Sequence, residues 1–139
     1  MKEFSSQRAL SFTESVIRDM TRVCIRHKGV NLAQGFPDFS APSEIKEAAI
    51  QAIREEFNQY AITWGSPGLR RQIAETYGRW YGLDLNPDTD VTVTCGVTEA
   101  IIAALLAVVN PGEKVIIIDP SHENYLAGVR FAGAEPIFV

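Results

Sequence analysis

Cysteine and histidine are scarce in this 139-residue chain, which contains two of each. Cys24 and Cys95 lie far apart without the spacing of metal ligands, so the sequence predicts reduced thiols rather than a disulfide framework. His27 and His122 have no companions at ligand spacing, which argues against a zinc or iron site. We therefore expect a cytoplasmic protein without a structural metal.

The chain also lacks a net positive charge, long apolar runs and an export signal. It has 13 Lys and Arg against 17 Asp and Glu, a net charge of -4, which argues against nucleic acid or an anionic membrane as a partner. The longest apolar run, residues 100–109, is about half of the ~20 residues that a membrane span needs. The N-terminal stretch "MKEFSSQRALSF" has no apolar core or cleavage site.

Three familiar catalytic and nucleotide-binding motifs are missing. There is no G-x-G-x-x-G turn for a dinucleotide, no P-loop of the form G-x-x-x-x-G-K-[ST], and no G-x-S-x-G of a serine hydrolase. A hydrophobic content of 46% is nevertheless ordinary for a globular domain.

The first half of the sequence predicts helices. "SFTE" at 11–14 is a Ser-x-x-Glu capping box that opens a helix, and Gly29 fits the position just after its end. "SEIKEAAIQAIREEF" follows as a second amphipathic helix. A third begins with Ser66 as N-cap and Pro67 in its first turn. Its apolar stripe, which we expect to face a core, is Leu69, Ile73, Tyr77 and Trp80.

The second half alternates between strand and helix patterns. "VTVTC" at 91–95 is rich in β-branched residues, residues 97–109 form an apolar helix, and "KVIIID" is the continuous apolar run of a strand buried on both faces. A short helix over 123–132 and a strand "AEPIFV" follow. The order β-α-β-α-β predicts an α/β fold with an incomplete parallel sheet.

A single glycine separates the first predicted strand from its helix. Gly96 can adopt backbone angles that other residues avoid, and the first amides of the next helix, at Val97 and Thr98, favour a bound anion. The Thr98 hydroxyl adds a possible donor. The turn therefore has the chemistry of a phosphate site, although a plain N-cap that satisfies only its own helix has the same sequence.

Five motifs, in order and at suitable spacing, resemble a known family. They are "NLAQGFPDF", "NQYAITWGSPGLR", "VTVTCGVTEAI", "NPGEKVIIIDPSHENY" and "AGAEPIFV". Together they resemble the N-terminal part of the class I and II aminotransferases, fold-type I enzymes dependent on pyridoxal 5'-phosphate, and the first motif is most similar to the kynurenine, glutamine and methionine aminotransferase branch. The resemblance implies a helical arm with a substrate-site loop over 1–42 and the start of the large cofactor-binding domain over 43–139.

In this family the turn before the apolar helix binds the cofactor's phosphate, which the resemblance transfers to Gly96, Val97 and Thr98. After the Asp-Pro pair the family usually has an aromatic ring stacked on the pyridine ring of the cofactor. His122 takes that position here, a departure from the usual residue, and imidazole can stack in the same way. The structural alternative for His122 is a surface histidine at a helix start.

Two further residues carry over from the resemblance. Gly35, in "QGFP", implies a backbone that contacts the carboxylate of the substrate; its alternative is a simple turn before Pro37. Tyr60, in "NQY", implies a hydroxyl that reaches the cofactor phosphate of a neighbouring subunit, and so a homodimer. The alternative for Tyr60 is a buried core tyrosine whose hydroxyl finds a local partner.

The resemblance also implies what the chain lacks. The family's catalytic lysine, the acidic partner of the pyridine nitrogen and the carboxylate-binding arginine lie further along, so no catalytic residue is assigned and none of Lys2, Lys28, Lys46 and Lys114 matches the lysine. We expect an N-terminal fragment, inactive alone, of an aminotransferase in amino acid metabolism that acts on an amino acid and a 2-oxo acid. The alternatives are a C–S lyase of the same fold and a non-catalytic protein that dimerises or binds phosphate.

Overall fold

A computed structural model describes residues 4–10, 14–35 and 37–139 of the chain. The residues form two compact units, one of Met1–Asp38 with Thr98–Val139 and one of Phe39–Val97. The boundaries between the two units follow residue 38 and residue 97, and the second boundary lies in the first turn of a helix. The predicted boundary between residues 42 and 43 concerns the domains of the whole enzyme and stays a prediction.

The discontinuous unit contains a two-stranded parallel sheet and the helix that joins its strands. It includes α1 (Gln7–Leu10), α2 (Val16–Arg26), all but the first residue of α5 (Val97–Val108), β1 (Lys114–Ile117), α6 (Glu123–Phe131) and β2 (Glu135–Phe138). The register pairs Lys114 with Glu135 and Ile117 with Phe138. The predicted parallel sheet is confirmed for this β1-α6-β2 part.

The small core of this unit lies where α6 packs against the sheet. Ile117 and Val129 are buried, as is Ala132 just after α6. Ile116 and Ile118 remain exposed, so the expectation of a strand buried on both faces is wrong for β1 within this chain. The reason is that alternate residues of a strand point to opposite faces, and α6 covers the face of Ile117.

The turn between α5 and β1 is held by polar groups. The Asn110 backbone N–H donates to the carboxylate of Glu113 at 2.7 Å, and the Asn110 side-chain amide donates to the same carboxylate at 3.2 Å. The bond from the Asn110 backbone N–H has the larger effect and the bond from its side chain the smaller, and both hold the pKa of the Glu113 carboxyl below its ordinary value. The turn residue Gly112 has a φ of +86° and donates its N–H to the Gly133 carbonyl.

Helix α2 begins later than predicted. Its N-cap is Ser15, whose hydroxyl accepts from the Arg18 N–H, and Glu14 precedes the helix and pairs with Arg22 instead. The predicted capping box with Glu14 inside the helix is therefore wrong, and its first residues, 11–13, lie outside the described part. At the other end the left-handed residue is Lys28 (φ 52°) rather than Gly29, because the Gly29 N–H reaches back to Cys24.

The continuous unit contains α3 (Ser43–Arg54) and α4 (Pro67–Tyr81). Helix α4 has the predicted N-cap Ser66 and ends at Gly82 in the left-handed conformation. The predicted strand over 91–95 is not a strand in this structure. Its Val93 N–H bonds the Trp64 carbonyl at 3.0 Å, but none of the described segments pairs with it as a ladder, which a strand requires.

The buried face of α4 is not the predicted one. The residues buried on this helix are Arg70 and Ala74, whereas Leu69, Tyr77 and Trp80 of the predicted stripe are exposed. Arg70 is only 3% exposed. Its guanidinium donates to the carbonyls of Gly65 at 3.2 Å and Pro87 at 2.5 Å and pairs with Asp88 at 3.1 Å. The buried Arg70 side chain therefore joins the segment before α4 to the segment after it.

The chain exposes much more surface than a folded monomer of its mass. Its accessible surface is 11695 Å², whereas the scaling for folded monomers gives about 7,100 Å² at this mass. Many of the exposed side chains are large and apolar, including Ile45, Phe57 and Trp64. The described helices therefore present apolar faces that this chain does not cover.

We expect the isolated chain of 139 residues to unfold without a sharp transition, because little apolar surface is buried to make unfolding cooperative. Thermal unfolding followed by circular dichroism and calorimetry tests this. The isolated chain should also bind a dye specific for exposed apolar surface. A single sharp transition, with equal calorimetric and van't Hoff enthalpies, would contradict the prediction.

Candidate cofactor site

The turn before α5 has the backbone conformation that its sequence predicts. Gly96 has a φ of +85°, and a Cβ placed on it would meet no atom within 4 Å. The Thr94 hydroxyl donates to the Gly96 carbonyl at 2.9 Å and so fixes the peptide that precedes the helix. The first amides of an α-helix have no acceptor within the helix, and its dipole favours negative charge there. The open side of Gly96 is therefore next to donors suited to an anion.

Thr98, the second residue of α5, contacts the start of α6. The Asn124 side-chain amide donates to the Thr98 hydroxyl oxygen over 2.7 Å. This contact joins two segments 26 positions apart in the sequence. The Thr98 hydroxyl therefore contacts a residue outside its own helix. The alternative of a plain N-cap, in which Thr98 satisfies only its own helix, does not include this contact.

His122 is the N-cap of α6. Its Nδ1 accepts from the Asn124 backbone N–H at 3.2 Å. The imidazole lies 5.8 Å from the ring of Tyr125 between centroids, with the two planes inclined by 56°. The structural alternative, a histidine at a helix start, therefore describes its position, and its side chain is exposed. Stacking on a cofactor ring stays a prediction.

The loop that carries Gly35 is tied to α2. The Asn31 side-chain amide donates to the Thr21 hydroxyl at 3.1 Å, and the Asn31 side-chain oxygen accepts from the Ala33 N–H at 3.0 Å. The Thr21 hydroxyl in turn donates to the Ile17 carbonyl at 2.9 Å. A Cβ on Gly35 would meet no atom within 4 Å. The chain's own described packing therefore leaves room on Gly35 for a ligand.

Tyr60 lies in the loop after α3 and is fully exposed, at 102% of its reference accessibility. The alternative of a buried core tyrosine with a local partner is therefore wrong. Exposure is what a residue needs if it is to contact a neighbouring subunit. Its role at a shared site stays a prediction.

The structure brings together two of the predicted site residues, Thr98 and His122, and it does so through Asn124. The sequence interpretation assigned no role to Asn124. One signal was present in the sequence. Asn124 is the second residue of the predicted helix, and the residue just before that helix, His122, is itself a predicted site residue.

Among the described residues, no cluster of three His, Cys, Asp or Glu could hold a metal ion. None of the helices in this described part has the length and apolar character to cross a membrane.

Residues 27–139 match the family model described as "Aminotransferase class I and II". A Mycobacterium tuberculosis protein named "Probable N-succinyldiaminopimelate aminotransferase" is 42% identical over 128 residues, 92% of this chain and 32% of the relative. A solved structure of N-succinyldiaminopimelate aminotransferase from that organism superposes with a TM-score of 0.90 at 41% identity, over 97% of this chain and 35% of the other.

Two further relatives fall in the branch that the first motif indicates. The methionine aminotransferase of Escherichia coli is 38% identical over 119 residues, 86% of this chain and 31% of the relative. The kynurenine–oxoglutarate transaminase of Dictyostelium discoideum is 36% identical over 135 residues, 96% of this chain and 31% of the relative. The chain thus spans about a third of the length of the relatives it matches.

Proposed function

Because this chain belongs to the class I and II aminotransferases, we propose that the protein carrying it transfers an amino group from an amino acid to a 2-oxo acid. Enzymes of this family depend on pyridoxal 5'-phosphate. The observation that carries the proposal is the turn before α5, where a glycine with positive φ precedes helix amides and the Thr98 hydroxyl. That arrangement fits a phosphate group.

The cofactor supplies an electron sink when it is bound, and the protein supplies position and charge. The amides of Val97 and Thr98, together with the Thr98 hydroxyl, would donate to the phosphate. The exposed imidazole of His122, whose Nδ1 accepts from the Asn124 backbone N–H, would lie against the pyridine ring of the cofactor. Gly35 would present its backbone to the carboxylate of the substrate, in a loop that Asn31 and Thr21 hold in place.

We expect Gly35→Ala to raise the KM for the amino acid about tenfold with a smaller change in kcat, because a methyl group would hold the substrate carboxylate away from the backbone. Steady-state kinetics on the complete gene product measure this. Gly29→Ala is the matched control, since a Cβ there meets Cys24 Sγ at an ordinary 3.6 Å. Equal KM values for both variants and the wild type would remove Gly35 from the substrate site.

The proposal includes a homodimer in which the two subunits share their sites. The full exposure of Tyr60 supports it, because an exposed tyrosine can contact a neighbouring subunit. The cytoplasm is the proposed location, on the basis of two cysteines too far apart in sequence to suggest a disulfide framework.

A half-transamination assay tests the proposed function in the complete gene product. The protein is loaded with pyridoxal 5'-phosphate and mixed with a panel of amino acids, and we expect a stoichiometric 2-oxo acid and no free ammonia. Release of ammonia with a thiol from a cysteine conjugate would instead indicate a C–S lyase. Absence of any product with all donors, despite bound cofactor, would support the non-catalytic alternative.

A further inference from the structure

We propose that Asn124 is a positioning residue that orients Thr98 and His122 toward the cofactor. Asn124 contacts both residues. Its side-chain amide donates to Thr98 Oγ1 at 2.7 Å, and its backbone N–H donates to His122 Nδ1 at 3.2 Å. The inference rests on the proposed function, because it assumes that Thr98 meets the cofactor phosphate.

The contact with Thr98 fixes which way the threonine hydroxyl acts. A threonine hydroxyl carries one hydrogen and two lone pairs, whereas the nitrogen of an asparagine side chain only donates. Thr98 Oγ1 therefore accepts from Asn124, which leaves the hydroxyl hydrogen to be given to another acceptor. A phosphate oxygen is such an acceptor, and hydrogen bonds to an ionised oxygen are stronger than neutral ones.

The contact with His122 acts on the ring in a similar way. Because Nδ1 accepts the Asn124 N–H, the proton of the neutral imidazole lies on Nε2. The same bond holds the His122 side chain back against the first turn of α6. The side chain of Asn124 thus sets the donor direction of Thr98, and its backbone N–H sets the orientation of the imidazole.

Binding of pyridoxamine 5'-phosphate to the complete gene product tests the proposal, because this ligand makes no covalent bond to a lysine. Unphosphorylated pyridoxamine is the second ligand. We expect Asn124→Ala to weaken binding of the phosphorylated ligand about tenfold and to leave pyridoxamine binding within about twofold, since the amide acts through the phosphate donor. A merely structural loss would weaken both ligands alike.

Four further variants sharpen the test. Thr98→Val should weaken the phosphorylated ligand about tenfold, and adding Asn124→Ala to it should cause little further loss, because the two residues act through one hydroxyl. Asn124→Asp keeps the shape of the side chain and removes the donor, so it should match or exceed the effect of alanine even if alanine disturbs packing. Asn110→Ala, which removes an amide from the α5–β1 turn, is the matched control and should bind like wild type.

The outcomes separate this inference from the proposed function. If the wild-type protein binds neither pyridoxal 5'-phosphate nor pyridoxamine 5'-phosphate, both are overturned. If wild type binds the phosphorylated ligand and both Asn124 variants bind it equally well, the function stands and the role of Asn124 is wrong. Additive losses in the double variant would also overturn the coupling between Asn124 and Thr98.

Discussion

Replacement of Arg70 by alanine is expected to lower the local stability around α4 by about 3 kcal/mol. The guanidinium is almost completely buried and satisfies the carbonyls of Gly65 and Pro87. Alanine leaves these two carbonyls without their donors and opens a cavity beside the helix. Hydrogen exchange of the α4 amides in the complete gene product measures the loss, because it reports local opening.

Arg71 and Asp88 provide the controls for this experiment. Arg71 is the next residue of the same helix and is exposed, so Arg71→Ala should change the exchange free energy by less than about 0.5 kcal/mol. Asp88 is 79% exposed, and as an exposed partner it should contribute less than about 1 kcal/mol when changed to asparagine. If Arg70→Ala proves no worse than Arg71→Ala, the buried hydrogen bonds of Arg70 do not hold this unit together.

Replacement of Gly96 by alanine is expected to weaken binding of pyridoxamine 5'-phosphate about 30-fold, or by ~2 kcal/mol. An L-residue with a φ near +85° is strained, and its methyl group would occupy the open side of the turn where an anion approaches. Isothermal titration of the complete gene product with this ligand measures the change.

Gly112 offers a closely matched control. Its φ of +86° is almost the same, and a Cβ on it would also meet no atom within 4 Å. Gly112→Ala therefore introduces the same backbone strain, about 1–2 kcal/mol, at a turn distant in sequence from the proposed phosphate donors. We expect the two variants to lose similar stability and only Gly96→Ala to lose affinity. Equal affinities would show that the turn before α5 does not bind the phosphate.

The fold could be predicted from the sequence where the pattern is local. Ser66 and Pro67 correctly mark the start of α4, and the apolar residues of β1 and β2 predict a parallel pair joined by α6. The failures depend on tertiary partners. Residues 91–95 have the composition of a strand but no paired neighbour in the described part of this chain, and composition alone cannot supply that neighbour.

Helix α4 shows a second kind of limit. The apolar residues of its stripe predict a buried face, whereas the structure buries the arginine one position away from Leu69. Periodicity counts apolar residues and assigns charged ones to solvent. It therefore misses a guanidinium that donates to two backbone carbonyls and pairs with one carboxylate.

The candidate site was predicted largely by resemblance. Gly96 and Thr98 also follow from physical chemistry, because a glycine before a helix N-terminus is a general anion-binding arrangement. Asn124 could not be found in this way, since its importance depends on the packing of α6 beside the start of α5. His122 was found by position within a motif, and its role as the N-cap of α6 emerged only from the structure.

We propose that this chain supplies the phosphate-binding part of an aminotransferase whose catalytic lysine lies outside residues 1–139. Reduction with borohydride in the presence of pyridoxal 5'-phosphate, followed by peptide mass spectrometry, tests it most directly. We expect one modified lysine, located outside residues 1–139, and loss of that modification in Gly96→Ala at limiting cofactor. Absence of any modified lysine, or modification at any of the four lysines within residues 1–139, would contradict the proposal.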